Sequence, residues 1–260
     1  MFFFFKQKTA YEIIPPQNPE DLANNLYEQV LGRAPDPDGM AFWTNELKSG
    51  NRTVADVVDA FFLGDEYTAR QISNEEFVRG LYAAILGREA DDEGLAYWVQ
   101  CLEESNTRRG LLHVFVQQSE FADMCGKLGL QQGSIEPQQP AENNHNLTRF
   151  VHRMYAKALG RNPEMDGLNH WCGRLLDDTI NLQQLAENFL LGDEFNAQGN
   201  RDESFIRTLY LTFMDREADA GGLAFWKSQL ENGGQRRDVL AFFASSSEFK
   251  QVSAEFGLAA

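Results

Sequence analysis

Four copies of one motif run through the chain, and their spacing constrains the fold more than any other feature. Each copy has a Tyr, an Arg six residues later, a Gly twelve later and a Trp sixteen later. The copies are Tyr27, Arg33, Gly39, Trp43; Tyr82, Arg88, Gly94, Trp98; Tyr155, Arg161, Gly167, Trp171; and Tyr210, Arg216, Gly222, Trp226. An acid follows each Arg by three residues: Asp36, Asp91, Glu164 and Asp219. These positions account for all four Trp of the protein. A fixed period of this kind marks an array of one small unit, and the repeated positions report what that unit needs in order to fold.

The unit reads as helical. A first helix ends in the Tyr-x-x-x-Leu-Gly-Arg stretch, with Phe77, Leu81, Tyr82, Ile85 and Leu86 at helical spacing in copy two and Leu22, Leu26, Tyr27, Val30 and Leu31 in copy one. Gly32, Gly87 and Gly160 follow, where a left-handed cap favours glycine; copy four has Asp215 instead. A second helix opens on the acid, with Asp36-Pro37-Asp38 offering a capping carboxylate, a Pro suited to the first turn and a charge suited to the helix dipole. Its core face is predicted at Met40, Trp43, Leu47; Leu95, Trp98, Leu102; Leu168, Trp171, Leu175; and Leu223, Trp226, Leu230. A third helix carries Phe61, Phe115, Phe189 or Phe243, and a Glu-aromatic pair follows, ending at Tyr67, Phe121, Phe195 or Phe249. Sustained period-two alternation is lacking, so the expected class is all-α, four tandem modules.

The copies alternate in an ABAB pattern. The first and third share Leu-Gly-Asp-Glu (Leu63 to Glu66, Leu191 to Glu194). The second and fourth share Arg-Glu-Ala-Asp, Ser-Glu-Phe and a closing Gly-Leu at Gly129-Leu130 and Gly257-Leu258. Gln131 to Asn146 is polar with two Pro, and reads as a linker. The expected division is a leader at 1–19, a helical domain of copies one and two at 20–130, the linker at 131–146, and a second helical domain at 147–260. Met1 to Ile13, MFFFFKQKTAYEI, reads as the translation of a T-rich run followed by a sequencing adapter, and is expected to be an artefactual or disordered leader.

Composition narrows the function classes. Thirty-nine acids against 23 bases give a formal charge of −16, which argues against nucleic acid and against an anionic membrane surface. No stretch approaches the roughly 20 apolar residues of a membrane span. The three cysteines, Cys101, Cys125 and Cys172, fall at different places in their repeats and read as free thiols.

The stretch from Leu81 to Trp98, followed by Ser-Glu-Phe121, resembles the bacterial family called domain of unknown function 4214. That family is itself similar to the phycobilisome linker domain, with its Leu-Gly-Arg-x-Pro-Asp-x-x-Gly signature. The resemblance covers nearly all of 20–130 and 146–258. It implies a helical interaction or scaffolding unit of a secreted or surface-layer-type protein, with no catalytic residues. This chain departs from the pattern at Asp215, Glu164, His170 and Gly221.

Several repeat positions have side chains that suit either packing or a sharper chemistry. Asp36, Asp38 and Gly39, or Asp91 to Gly94, resemble half of a calcium loop, but Leu47 and Leu102 stand where a closing bidentate Glu belongs. Capping, with the repeat Arg tied to its acid or to helix-end carbonyls, explains acid, Pro and Gly together. The Trp are expected to be buried packing anchors rather than sugar platforms. His152, His170 and Cys172 have ligand chemistry in one copy only, so no metal is expected. No nucleophile, phosphate-loop or metalloprotease signature is present. The expectation is a non-catalytic interaction module without cofactor, meeting another protein or a surface glycan; glycan or calcium binding and a phycobilisome-linker-like scaffold are the alternatives.

Overall fold

The computed structural model of the chain describes residues 13–258. The protein is all-α, with no strand among those residues. Each repeat has four helices in the same order. In repeat one they are Pro19–Asn25, running on as a π-helical turn Leu26–Leu31, then Pro37–Ser49, Val54–Phe62 and Asp65–Thr68. Repeat two has Asn74–Leu81 with the π turn Tyr82–Leu86, then Asp92–Glu104, Arg108–Val116 and Ser119–Leu128. Repeat three has His145–Met154 with Tyr155–Leu159, then Met165–Leu176, Leu182–Leu190 and Asp193–Ala197. Repeat four has Asp202–Phe213, Ala220–Glu231, Arg236–Ala244 and Ser247–Glu255.

Local chemistry sets the boundaries. Asn18, Ser73 and Asn144 cap the first helices of repeats one to three by accepting from Asp21, Glu76 and Leu147 N–H groups. At the far end the helix widens by one residue per turn before a left-handed glycine: Gly32 (φ 65°), Gly87 (62°) and Gly160 (66°) donate to the Tyr27, Tyr82 and Tyr155 carbonyls. The same carbonyls accept from Arg33 at 3.2 Å, Arg88 at 3.3 Å and Arg161 at 3.4 Å. Repeat four lacks the glycine and the π turn. Its first helix stays α to Phe213, and Asp215 takes the left-handed φ of 49°. Arg153 donates to the Leu211 and Thr212 carbonyls and pairs with Asp215 at 3.1 Å, with Lys157 at 3.7 Å. A short polar side chain can visit this conformation, and two cations hold it there.

The chain divides into two compact units, Met1–Glu103 with Leu111–Glu136, and Glu104–Gly110 with Pro137–Ala260. Each has one hydrophobic core built by two repeats. In the first unit Leu26 and Phe62 of repeat one meet Phe77, Leu112 and Phe121 of repeat two, and Phe62 packs edge-on against Phe77 at 5.5 Å. In the second, Phe150 and Phe189 share a core with Phe205, Phe213 and Phe249. A lone repeat would leave these rings facing water, so pairing is the burial solution.

The segment expected as a linker is not bare. Ile135, Ala141 and Glu142 are buried. Glu142 accepts from the Thr107 hydroxyl at 2.5 Å, the Gln138 N–H at 2.8 Å and Gln139 Nε2 at 3.0 Å. Burial works to raise its carboxyl, and these hydrogen bonds together with Arg109 outweigh it, leaving Glu142 below the ordinary range. Thus Glu104–Gly110, read from sequence as part of the first domain, belongs with the second unit. The expected leader also ends earlier than residue 19: Pro16 is buried, and Asn25 Nδ2 donates to the Ile14 carbonyl at 2.7 Å. The artefact reading of Met1 to Ile13 falls, but for Ile13, outside the described residues.

Candidate functional site

The repeat positions converge on one constellation at the start of each second helix. Asp36, Asp91 and Asp219 are its N-caps, each accepting from the glycine N–H three residues on, Gly39, Gly94 or Gly222, at 2.8 Å. That bond, first among several influences, holds the Asp36 and Asp219 carboxyls below their usual range. Glu164 occupies the cap position of repeat three but makes no capping bond. One more methylene carries its carboxylate past the N–H.

The repeat glycine has a second role that its sequence position did not disclose. A Cβ on Gly39, Gly167 or Gly222 would collide with the hydroxyl of Tyr27, Tyr155 or Tyr210, and one on Gly94 would stand 2.8 Å from that of Tyr82. Tyr and Gly recur together because the phenol is seated against the helix backbone. Burial pushes the Tyr27 and Tyr155 hydroxyls up from their ordinary value, while hydrogen bonding by Trp43 and Trp171 acts in the opposite sense.

The repeat Arg lies over the Tyr ring, 4.8 Å from its centroid in repeats one to three and 4.9 Å in repeat four. Its main partner is not the acid three residues on. Arg33 forks onto Glu66 at 2.6 and 3.0 Å, Arg88 onto Glu120 at 2.9 and 3.1 Å, and Arg161 onto Glu194 at 2.5 and 3.0 Å. The expected contacts exist but are longer: Arg33–Asp36 3.6 Å, Arg88–Asp91 3.8 Å and Arg216–Asp219 3.7 Å. The fork is the leading reason that Glu66, Glu120 and Glu194 sit below the usual carboxylate range. Sequence reasoning missed these glutamates as partners, although their recurrence just before the aromatic of the fourth helix was a usable signal. In repeat four the fork is replaced: Arg216 turns to Met214 Sδ at 3.6 Å, and Glu248 accepts from the Ser247 hydroxyl.

The four Trp pack against the cores, as packing anchors do, and each is partly rather than fully buried. Trp43, Trp98 and Trp171 lean on Phe61, Phe115 and Phe189 at 5.2–5.4 Å. The side chain before each Trp stands edge-on to it at the surface: Phe42 at 4.9 Å, Tyr97 at 4.8 Å, His170 at 4.7 Å and Phe225 at 4.9 Å. Phe42 is 50% exposed and Phe225 54%. Repeat four is the most open. No residue of Ala220–Glu231 is fully buried, and Phe242, 57% exposed, packs on Trp226 at 4.8 Å.

The residues with ligand chemistry have separate surroundings. His152 Nε2 is 3.3 Å from Asn162 Oδ1, Cys172 Sγ is 3.6 Å from the Thr148 hydroxyl, and His170 lies on Trp171. Among the described residues no three His, Cys, Asp or Glu stand together as a metal site. Cys101, Cys125 and Cys172 are buried and in no disulfide; burial pushes the Cys125 thiol up to about 12 and Cys172 to about 11. No helix of the described residues is long and apolar enough to cross a membrane.

The profile of one protein family, Domain of unknown function (DUF4214), matches the chain four times, at residues 16–71, 62–125, 133–199 and 186–253. The chain belongs to this family. Each match takes in one Tyr–Arg–Gly–Trp constellation, so the DUF4214 match and the structural repeat coincide. Successive matches overlap at 62–71 and 186–199, where the third and fourth helices of one DUF4214 repeat lead into the next. No curated protein matches the chain.

Proposed function

We propose that this DUF4214 protein is a non-catalytic helical interaction module that scaffolds another protein. The observation that carries the reading is that each unit holds surface aromatics on its second helices, with Phe42 in the first and Phe225 in the second half or more exposed beside a partly buried Trp. Apolar rings held at a surface by a rigid helix are suited to protein contact, where aromatic anchors supply much of the binding energy. The charged groups of the repeat are meanwhile committed to one another, as caps and as Arg–Glu forks. Placement at a bacterial surface or outside the cell follows from the family resemblance alone, as does the kinship with linker scaffolds.

The experiment is photo-crosslinking in the native cell from a benzophenone amino acid at Phe225, with Asn232 as an exposed control position. The expected adduct contains a second polypeptide. An adduct that resists protease and yields only sugar would replace the protein reading with the glycan one, for which the Phe225, Trp226 and Phe242 rings would serve as stacking faces.

A further inference from the structure

Three of the helices that carry the repeat Trp close on one kind of turn. Seven residues after Trp43, Trp171 and Trp226 stand Gly50, Asp178 and Gly233, all left-handed, at φ 71°, 52° and 92°. Each donates its backbone N–H to the carbonyl three residues before it: Leu47 at 3.2 Å, Leu175 at 3.3 Å and Leu230 at 3.1 Å. A left-handed position at a helix end favours glycine, so the turn itself accounts for Gly233. It does not account for the residue before. That residue is Ser49 in repeat one, Asp177 in repeat three and Asn232 in repeat four.

Asn232 is the only asparagine of the sequence that precedes a glycine. The pairing matters chemically. The carboxamide carbon of an asparagine and the backbone nitrogen of the next residue can close a cyclic imide, and a side chain on that next residue crowds the closure. Glycine has none. Asn232, Gly233 and Gly234 are all exposed, so water and base reach both reacting groups. Little holds the turn shut. The Gly233 N–H is bonded to Leu230, the Gly234 N–H donates to the Gln229 carbonyl at 3.0 Å, and Asn232 Nδ2 donates to Ser228 Oγ at 3.2 Å. All three bonds lie at the exposed end of Ala220–Glu231, where a helix opens at least cost. Asn232 stands at ψ 15°, and once the end opens, rotation about that bond carries the Gly233 nitrogen onto Cγ.

We infer that Asn232 is a site of self-modification, at which Gly233 displaces the side-chain nitrogen of Asn232. Base removes the Gly233 N–H proton, the nitrogen bonds to Asn232 Cγ, the bond from Cγ to Nδ2 breaks, and ammonia leaves with a proton from solvent. Water then adds to either carbonyl of the cyclic imide. One opening gives aspartate, the other isoaspartate, in which the backbone runs through Cβ. One water enters and one ammonia leaves, and nothing is oxidised or reduced. Either product sets a carboxylate at the negative end of the helix dipole, next to Glu231, and removes the donor to Ser228. The reaction is independent of what the exposed aromatic rings bind, so it stands or falls apart from the reading proposed for them.

The test is peptide mapping by mass spectrometry on the full chain, kept folded at mildly alkaline pH for weeks in water enriched in heavy oxygen. Asn232 is expected to convert to two products of one mass, aspartate and isoaspartate, each carrying one oxygen from the solvent. Asn51 is the internal control. It is exposed beside the matching turn of repeat one but is followed by Arg52, and should convert at least about tenfold more slowly because a side chain crowds its ring closure. Gly233→Asp, which borrows the left-handed aspartate of repeat three, should slow the reaction at Asn232 by a similar factor. Should that variant not fold, the comparison with Asn51 in the native chain decides. An Asn232 that stays intact, equal rates at Asn232 and Asn51, or a folded Gly233→Asp chain that converts at the native rate overturns the inference.

Discussion

The Tyr82 hydroxyl stands 2.8 Å from the point that a Cβ on Gly94 would occupy. The same relation holds, with still less room, between Tyr27 and Gly39, Tyr155 and Gly167, and Tyr210 and Gly222. The glycine is therefore required by a side chain twelve residues earlier rather than by its own backbone. Gly222→Ala is expected to lower stability by about 1–3 kcal/mol, the cost of overpacking, despite the gain of about 1 kcal/mol that alanine brings to a helix. The neighbouring Gly221 meets only Asp219 Oδ1 at 3.3 Å. Gly221→Ala is thus expected to be neutral or stabilising. Urea unfolding of both variants is the check, and equal effects would refute the seating of the phenol as the cause.

The fork between Arg88 and Glu120 is half-exposed, with side chains 43% and 48% accessible. Solvent screening keeps such pairs to about 1 kcal/mol or less, although the bidentate geometry and the Tyr82 ring place this one at the upper end. A double-mutant cycle of Arg88→Gln and Glu120→Gln should show coupling of about 0.5–1 kcal/mol. The Glu120 carboxyl is depressed, so its contribution is fully present above the unfolded value and is lost as pH falls through the folded one. Coupling measured at successively lower pH should fade in that order; a pH-independent coupling would count against the pair.

Half-burial changes what the Trp are worth. A fully buried ring would cost about 3–5 kcal/mol on truncation. Trp171, packed on Phe189 but partly open, is expected to cost about 2 kcal/mol as Trp171→Ala, since only part of its area leaves water. Denaturant titration distinguishes the two, and a loss near the larger figure would mean that the ring is better covered than it stands here.

Glu164 is the cap position without a capping bond. Glu164→Asp is expected to raise stability by about 0.5–1 kcal/mol, because aspartate reaches the N–H that Asp91 reaches in repeat two. Asp91→Ala should lower stability by about 1 kcal/mol, equally with calcium or chelator present. Thermal unfolding under both conditions tests this; a calcium-dependent rise abolished by Asp91→Ala would make the loop a metal site.

His145 is held down to about 4, mainly by burial and then by Arg149. A depressed histidine binds its proton in the unfolded chain before the folded one, so its contribution is present above pH 6.5 and declines as pH drops toward 4. Melting temperature followed over that window should fall less steeply in His145→Asn than in the native chain. Parallel curves would show that another group governs the slope.

Much of the molecule was legible in order along the chain. The period placed the four modules, Gly32, Gly87 and Gly160 marked the ends of first helices, and Asp36, Asp91 and Asp219 the starts of second ones. These are local devices, each made by residues within six positions of one another. Partners far apart in sequence were not legible. Glu66 is 33 positions from Arg33, and its recurrence before the fourth-helix aromatic marks the position without saying which cation it meets.

The sequence by itself therefore determined the helical class, the repeat and the capping chemistry, because propensity, caps and left-handed glycines act over one turn of chain. Only the tertiary structure decided which acid takes each Arg, why Gly39 must be small, that Trp43 stays half-open, and that Glu104–Gly110 joins the second unit. Those outcomes depend on which surfaces are brought together when two repeats close on one core. Packing is a property of the assembled faces, and a periodic sequence specifies the faces without specifying which atoms are left at their edges.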